Sequence, residues 1–205
     1  MLATHVHCSP SPLDDCPMPE SDPIATEPIE TVFIDLEGVI VEVRPGREHP
    51  AFSMRPGAEP GLRRLAQVTE SLVGLVEPPP AQGQPARRGR AIDRLVGVRA
   101  PMTRGGPEIL FVGCQHGEVA CSCRKPGTGL IQLARERYGL GQGGWHISAD
   151  AEAVMSGRNA GLRTIRIGPP AGDPETSVHR ADYEARDLLD AANWILVQSL
   201  GVPTA

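Results

Sequence analysis

Short apolar runs alternate with segments of helical periodicity along the chain from about residue 30 onward. Each run has only four or five residues and is bounded by polar or glycine-rich sequence, which is typical of strands buried on both faces. Strands that alternate with helices are joined by right-handed crossovers, so the pattern predicts an α/β domain with a mostly parallel sheet. The predicted strands are residues 31–35, 72–76, 109–113, 145–148 and 164–167.

Segments with apolar residues three or four positions apart predict the helices of this domain. The last of them is strongly amphipathic, and we expect it to pack on the sheet or to form a dimer face. Gly161 is placed to end the helix before it, because glycine readily adopts the left-handed conformation of a helix C-terminus. The predicted helices are residues 60–70, 91–98, 130–138, 151–160 and 185–200, and residues 77–89 are a predicted loop.

Residues 1–28 differ in composition from the rest of the chain. They are rich in proline, serine and acidic residues and have almost no apolar periodicity, which predicts a disordered leader ahead of a domain at 29–205. The leader contains His5, His7, Cys8 and Cys16. A second metal site is one interpretation of these side chains, but the composition favours a tail that happens to contain them.

Charge and composition argue against several classes of protein. The net charge is −5, which disfavours a nucleic-acid-binding surface. No apolar run approaches the roughly 18 residues of a membrane span, and the N-terminus lacks the pattern of a signal peptide. The 5 cysteines, in a chain without such a signal, favour reduced thiols and metal binding over disulfides. We therefore expect a cytoplasmic protein with no membrane partner and no nucleic-acid partner.

Three cysteines and a histidine lie close together in the segment 114–123. Three thiolates and one imidazole form the closed tetrahedral set that structural zinc prefers, with no position left for water. The alternative is a group of buried cysteines beside a surface histidine, which fits poorly with so many ligands in a polar loop. The sequence predicts one structural zinc ion, bound by Cys114, His116, Cys121 and Cys123.

Polar residues follow the predicted strands at the edge where parallel sheets bind ligands. Asp35 ends the first strand, Glu77 follows the second, and Cys114 follows the third. Residues 148–152 follow the fourth strand and include Asp150. Because ligands bind beyond the carboxyl ends of parallel strands, these side chains are the candidates for a functional site. Elsewhere we expect His146 to make a hydrogen bond in the core, and Trp145 and Trp194 to pack there.

Two motifs resemble those of the haloacid dehalogenase (HAD) phosphatases. Residues 32–40, VFIDLEGVI, resemble the first motif of this superfamily, a buried strand that ends in Asp-x-Asp-Gly-Val. Residues 114–126, CQHGEVACSCRKP, are similar to the zinc loop of the D,D-heptose 1,7-bisphosphate and histidinol-phosphate phosphatases, in which Arg-Lys-Pro follows the last cysteine. With looser matches near 54–57 and 157–165, the resemblance spans about residues 30 to 170. It implies a HAD-like, Rossmann-type three-layer sandwich.

The resemblance also implies a reaction and the residues that perform it. The reaction is hydrolysis of a small sugar phosphate or amino-alcohol phosphate through an aspartyl-phosphate. Asp35 would be the nucleophile and a magnesium ligand, and Glu37 the general acid and base. Lys125 would neutralise the developing charge, and Arg124 would contact the substrate phosphate. An acidic pair after the fourth strand would complete the magnesium site.

The chain departs from the family's pattern at several catalytic positions. Glu37 replaces an aspartate, and its extra methylene moves the carboxyl by roughly 1.5 Å. A misplacement of about 1 Å can cost on the order of 100-fold in rate. Glu77 stands where the family has a threonine or serine that binds the phosphoryl group, and a carboxylate there would repel phosphate.

The acidic motif after the fourth strand is also altered. Measured back from Gly161, the family's Gly-Asp pair falls on Ser148 and Ala149, and its later aspartate falls on Ala153. Asp150 is the tentative magnesium ligand in their place, if the loop is shifted by one residue.

Three hypotheses follow from the retained and the altered motifs. The first is a magnesium-dependent phosphomonoesterase, weak or inactive, with a small phosphorylated metabolite as its substrate. The second is a catalytically degenerate HAD-fold protein that binds a partner protein or a phosphorylated ligand without turnover. The third is a zinc-stabilised interaction domain with no phosphate role. Asp35 and Lys125 support the first, and the altered positions favour the second.

Overall fold

A computed structural model describes residues 29–44, 51–77, 109–114, 121–168 and 180–200. The predicted leader at 1–28, the predicted helix at 91–98 and most of the predicted loop at 77–89 lie outside the described residues. The predicted zinc ligand His116 lies outside them as well.

The described residues form a six-stranded sheet in which every neighbouring pair of strands is parallel. The described residues contain eight strands, of which β2 and β3 lie outside this sheet. They are β1 (Ile29–Asp35), β2 (Val41–Arg44), β3 (Ala51–Met54), β4 (Thr69–Val76), β5 (Ile109–Gly113), β6 (Trp145–Ser148), β7 (Arg163–Ile167) and β8 (Tyr183–Ala185). The sheet has the order β5-β4-β1-β6-β7-β8, and β2 pairs with β3 in a separate antiparallel hairpin. The first strand therefore lies at the centre of the sheet, with its carboxyl end between those of β4 and β6.

Helices cover both faces of the sheet. They are α1 (Ala58–Leu65), α2 (Gly129–Tyr138), α3 (Ala151–Asn159) and α4 (Leu188–Ser199). Successive side chains of β1 point to opposite faces: Val32 and Ile34 belong to the core cluster that includes α1 and α4, and Phe33 belongs to the cluster that includes α2. The predicted α/β class and three-layer arrangement are confirmed.

The helix predicted at 60–70 is wrong at its C-terminal end. Helix α1 ends at Leu65, and a turn leads into β4, which begins at Thr69. Thr69 pairs with Ile29 of β1, and its buried hydroxyl donates a hydrogen bond to the Ser71 carbonyl. Pairing with the central strand overrides the helical periodicity of these residues.

The closing helix begins later than predicted. Ala185 ends β8 beside Ile167, and α4 starts at Leu188. Asp187 caps α4, because its carboxylate accepts a hydrogen bond of 2.9 Å from the Asp190 amide. Asp187 therefore marks the start of the helix, which the amphipathic pattern alone does not locate.

The hairpin of β2 and β3 was not predicted, although VEVR at 41–44 alternates between apolar and charged residues. It follows β1 after a tight turn in which Gly38 has φ of 80° and donates its amide to the Val41 carbonyl. The predicted left-handed Gly161 after α3 is confirmed, with φ of 75°. Trp145 is buried as predicted, whereas Trp194 is partly buried and stacks on Tyr183. Every helix within the described ranges falls short of what a membrane crossing requires.

Candidate active site

Three carboxylates converge at the carboxyl edge of the sheet. Asp35 is the last residue of β1, Glu77 directly follows β4, and Asp150 lies between β6 and α3. One carboxylate oxygen of each lies within 4.8 Å of the others. This is the edge at which parallel sheets bind ligands. The structure thus brings together the tentatively paired Asp35 and Asp150, and it adds Glu77 to them.

Lys125 lies among the three carboxylates. Its Nζ is 2.7 Å from Asp35 Oδ2, 2.6 Å from Glu77 Oε1 and 2.6 Å from Asp150 Oδ2. Burial alone would lower the pKa of Lys125, but the carboxylates outweigh it and raise that pKa far above its usual value. Lys125 is therefore a fixed positive charge, as its predicted role requires.

Asp35 is almost completely buried, and its two oxygens have different partners. Oδ2 faces Lys125, whereas Oδ1 lies 3.1 Å from Nε2 of His146. Burial raises the pKa of Asp35, but the hydrogen bond with His146 and the ammonium of Lys125 together hold that pKa below its usual value. Asp35 is therefore ionised at neutral pH, as a carboxylate nucleophile must be.

For Glu77 the effects on the pKa balance in the opposite direction from those on Asp35. Burial, followed by the charges of Asp35 and Asp150, raises the pKa of Glu77 despite the nearby Lys125. Its carboxylate approaches the lysine where the family it resembles has a neutral hydroxyl. The predicted excess of negative charge at this position therefore has a geometric basis, and Glu77 also competes for the cation of the site.

Asp150 is the N-cap residue of α3, and the cap fixes its orientation. Its Oδ1 accepts a hydrogen bond of 2.7 Å from the Ala153 amide, which leaves Oδ2 directed at Lys125. Half of its side chain is exposed, so the carboxylate borders solvent. The hypothesis of a one-residue shift in this loop is consistent with the position of Asp150, although its role as a metal ligand remains a prediction.

Glu37 and Arg124 flank the cluster in the chain. Glu37 is half-buried in the turn after β1 and forms a bridge with Val41 of the hairpin. Arg124 is half-buried directly before Lys125, and its amide donates a hydrogen bond to the Cys121 carbonyl. Their assignments as general acid and as phosphate ligand remain predictions.

Cys114, Cys121 and Cys123 form a second cluster, beside the first. Their sulfur atoms all lie within 4.8 Å of one another, and those of Cys114 and Cys121 are 3.4 Å apart. Burial, followed by the two neighbouring cysteines, raises the pKa of the Cys123 thiol to about 12. Thiolates in such a group need a cation to stabilise them, and zinc is the metal that prefers this donor set. The described residues thus fit three of the four predicted zinc ligands.

The cysteine cluster and the lysine belong to one compact turn. The Gly127 amide donates to the Arg124 carbonyl at 2.7 Å, and the Gly129 amide donates to the Ser122 carbonyl at 2.9 Å. Gly129 starts α2, so the turn connects the sulfur cluster to a helix of the core. A metal bound to the sulfurs would restrain the backbone directly before Lys125.

The carboxylate cluster also fits a magnesium ion by its chemistry. Magnesium prefers hard oxygen ligands, usually one or two carboxylates together with waters and substrate phosphate. Asp35 and Asp150 supply such oxygens. Glu77 offers a third carboxylate, although the sequence analysis had treated it only as a departure from the family's phosphate-binding hydroxyl. His146 is the other residue whose place in the site was missed. Its predicted core hydrogen bond exists, but its partner is the candidate nucleophile.

No protein-family model and no curated protein matches the chain. Solved structures do resemble it in fold. A D,D-heptose 1,7-bisphosphate phosphatase from B. bronchiseptica, solved with magnesium and phosphate, is 21% identical with a TM-score of 0.61 and covers 82% of this chain and 99% of its own. The corresponding phosphatase from Burkholderia thailandensis is 15% identical with a TM-score of 0.54 and covers 82% and 98%.

A third similar structure, described as a HAD-like phosphatase from Mesorhizobium loti, is 19% identical with a TM-score of 0.61. It covers 84% of this chain and 86% of its own. At these identities the likeness concerns the arrangement of the backbone and does not extend to the activity. The chain has the α/β fold of the HAD-like phosphatases.

Proposed function

We propose that the chain is a magnesium-dependent phosphomonoesterase that acts on a small sugar phosphate or amino-alcohol phosphate. One observation carries the proposal: the Asp35 carboxylate, at the tip of the central strand, lies 2.7 Å from the Lys125 ammonium and beside the Asp150 carboxylate. A nucleophile, a fixed cation and a second acidic group thus meet at one edge of the sheet. The substrate class comes from the resemblance of the zinc loop, and the fold supports it.

In the proposed reaction, Asp35 attacks phosphorus and the bond between phosphorus and the ester oxygen breaks. The leaving oxygen takes a proton from Glu37. Glu37 then accepts a proton from a water molecule, whose oxygen attacks the phosphorus of the aspartyl-phosphate. This second step releases phosphate and restores Asp35. Bound magnesium would supply further charge stabilisation, with Asp35 and Asp150 as its protein ligands.

Lys125 serves both steps because negative charge accumulates on the transferring group. A preorganised cation in a site with little water stabilises that charge strongly, and removal of one such contact costs on the order of 100 to 1,000-fold in rate. The zinc loop would hold this cation, since Lys125 follows Cys123 by two residues. Zinc in this proposal is therefore structural and takes no part in the reaction.

The charge of the site predicts weak activity. Three carboxylates around one ammonium leave an excess of negative charge where a phosphate dianion would have to bind. Magnesium would reduce this excess, and without it the substrate would be repelled. We therefore expect turnover only at high magnesium concentrations and with a modest rate.

The second candidate is a protein of the same fold that binds without turnover. It is favoured by the position of Glu77, whose carboxylate lies 2.6 Å from Lys125 Nζ. The carboxylate thus takes up a hydrogen bond of the ammonium that a phosphoryl oxygen would otherwise accept. A partner protein or a phosphorylated ligand would then be recognised at another part of this edge.

The test uses purified full-length protein with magnesium and p-nitrophenyl phosphate, beside the matched variant Asp35→Asn. Hydrolysis that falls at least 100-fold in the variant supports the enzyme. Equal hydrolysis by both proteins rejects the enzyme for this substrate. In that case, a rise in melting temperature with magnesium and beryllium fluoride supports phosphate binding without turnover, and the absence of a rise favours a zinc-stabilised interaction domain.

A further inference from the structure

We propose that His146 is a positioning residue that holds the Asp35 carboxylate in one orientation. The proposal deepens the proposed function, because it concerns the residue assigned as nucleophile. It stands on two contacts of the imidazole, one with Asp35 and one with the backbone of α3.

The sheet register places the two side chains on the same face. His146 of β6 pairs with Phe33 of β1, and Asp35 lies two residues further along β1. Because residues two apart in a strand share a face, the imidazole extends along the sheet toward the carboxylate. Nε2 lies 3.1 Å from Asp35 Oδ1, and the relative exposures of His146 and Asp35 are 1% and 4%.

A glycine in α3 holds the ring from its other side. A Cβ atom on Gly157 would lie 2.7 Å from His146 Nδ1 and 2.9 Å from its Cβ. Any residue with a Cβ atom would therefore force the ring to move, and only glycine fits here as the structure stands. The helix therefore packs directly on the imidazole and restricts its rotation.

The hydrogen-bond partners indicate where the ring carries its proton. Within the described residues, Nδ1 has no hydrogen-bond partner, whereas Nε2 faces a carboxylate that can only accept. A proton on Nε2 gives a donor to Asp35 Oδ1 and avoids a buried N–H without a partner on Nδ1. This tautomer leaves Asp35 Oδ2 directed at Lys125 and toward Asp150.

The consequence is that the two oxygens of Asp35 cannot exchange freely. A carboxylate nucleophile must present one oxygen to phosphorus, and a second oxygen that is already hydrogen-bonded holds the group in that geometry before substrate binds. Partners of this kind, behind a catalytic or metal-binding carboxylate, typically account for about 10 to 100-fold in metal affinity or activity.

A purely space-filling role for His146 makes a different prediction. Phe33, which pairs with His146 and shares its face of the sheet, belongs to an apolar core cluster, and an apolar side chain at 146 would extend this cluster without the cost of burying two ring nitrogens. Only a role that uses the Nε2–H donor depends on that atom. Variants that keep or remove a donor at this point therefore separate the two roles.

The experiment compares His146→Met, which removes the donor, with His146→Gln, which retains an amide N–H at a similar reach. Each is made in the full-length protein with zinc bound. Manganese is used as the metal probe and its affinity is measured without substrate, with Asp35→Asn to identify binding at this site. With p-nitrophenyl phosphate, kcat and KM are then measured separately.

For His146→Met we expect manganese affinity to fall about tenfold or more and kcat to fall about 10 to 100-fold, with a smaller change in KM. His146→Gln should recover most of both. If His146→Met does not fold, His146→Asn replaces it, because the asparagine amide is too short to reach Asp35. Wild-type manganese affinity and kcat in either donor-deficient variant overturn the proposal.

The manganese measurement also separates this proposal from the enzymatic one. A wild-type protein that binds manganese in a His146-dependent manner but hydrolyses no phosphate ester supports the positioning role and overturns the phosphatase. If His146→Met and His146→Gln both hydrolyse the ester at the wild-type rate, the result supports the phosphatase and overturns the positioning role.

Discussion

Lys125 Nζ lies 2.7 Å from Asp35 Oδ2, and this contact joins the cysteine-containing turn to the central strand of the sheet. Both side chains are largely buried, and only 16% of the Lys125 side chain is exposed. Two further carboxylates share the same ammonium. The contact thus holds the proposed catalytic cation in place and also neutralises buried charge, so we expect it to matter for stability as well as for the proposed reaction.

The first prediction concerns Lys125→Met, which keeps a long side chain and removes the charge. Without the ammonium, Asp35 is a buried carboxylate with two further carboxylates nearby, and loss of one partner of a buried ion pair costs about 3 to 5 kcal/mol. We expect urea unfolding of the metal-free protein to show a loss of this size. Lys125→Arg, which retains the charge, should lose much less, and excess magnesium should restore part of the stability of the methionine variant. Unchanged urea midpoints would contradict the structural role of the lysine.

The second prediction concerns Glu77→Thr, which restores a hydroxyl where the resembled family has one. A carboxylate about 4 Å from a phosphate charge opposes binding by about 4 kcal/mol at an effective dielectric constant of about 20. Even a fraction of this energy corresponds to more than tenfold in affinity. We expect kcat/KM for p-nitrophenyl phosphate at saturating magnesium to rise at least tenfold.

Glu77→Gln is the matched control, because it removes the charge without supplying the hydroxyl. If kcat/KM rises in both variants, the effect comes from removal of the charge. If kcat/KM rises in Glu77→Thr alone, the effect comes from the hydroxyl donor. If both variants lost activity, the wild-type carboxylate would be a required ligand of the site, and the view of Glu77 as an obstacle would be wrong.

The third prediction concerns the cysteine cluster. Full-length protein should contain about one zinc ion per chain, since the predicted set of three thiolates and one imidazole is the closed set that structural zinc prefers. Cys121→Ser should release the metal and lower the melting temperature, because the free energy of binding contributes to folding. His116→Ala tests the ligand that lies outside the described residues. Cys16→Ser, in the predicted leader, is the control and should keep its zinc. A metal-free wild-type protein with an unchanged melting temperature would contradict a structural zinc site.

The sequence predicted those parts of the site that depend on short stretches of chain. The strand before Asp35 is a contiguous apolar run, and the spacing of the cysteines is local, so both could be recognised from neighbouring residues. The resemblance then supplied roles for Asp35 and Lys125, and the fold agrees with that resemblance. Local patterns were also sufficient for the parallel order of strands and helices.

The remaining parts depend on contacts between distant segments. His146 and Asp35 are 111 residues apart, and only the register of β6 on β1 brings them together. Whether Asp150 or a neighbouring residue faces the site depends on which residue caps α3, a difference of one position that the altered motif left open. The end of α1 was misplaced for the same reason, because Thr69 is recruited into β4 by its partner in β1.

The fourth prediction uses Gly157 to move His146 without changing it. Alanine is favoured over glycine in a helix by about 1 kcal/mol. At Gly157, however, the added Cβ would lie 2.7 Å from His146 Nδ1, and such overpacking typically costs about 1 to 3 kcal/mol. We expect Gly157→Ala to lower the free energy of unfolding by about 1 kcal/mol net and, because the displaced ring no longer holds Asp35, to lower kcat about tenfold. Gly113→Ala in β5 is the control, since its Cβ would meet no atom closer than 3.6 Å and should change neither quantity appreciably. A Gly157→Ala protein with wild-type kcat but reduced stability would show that displacement of His146 does not reach the Asp35 carboxylate.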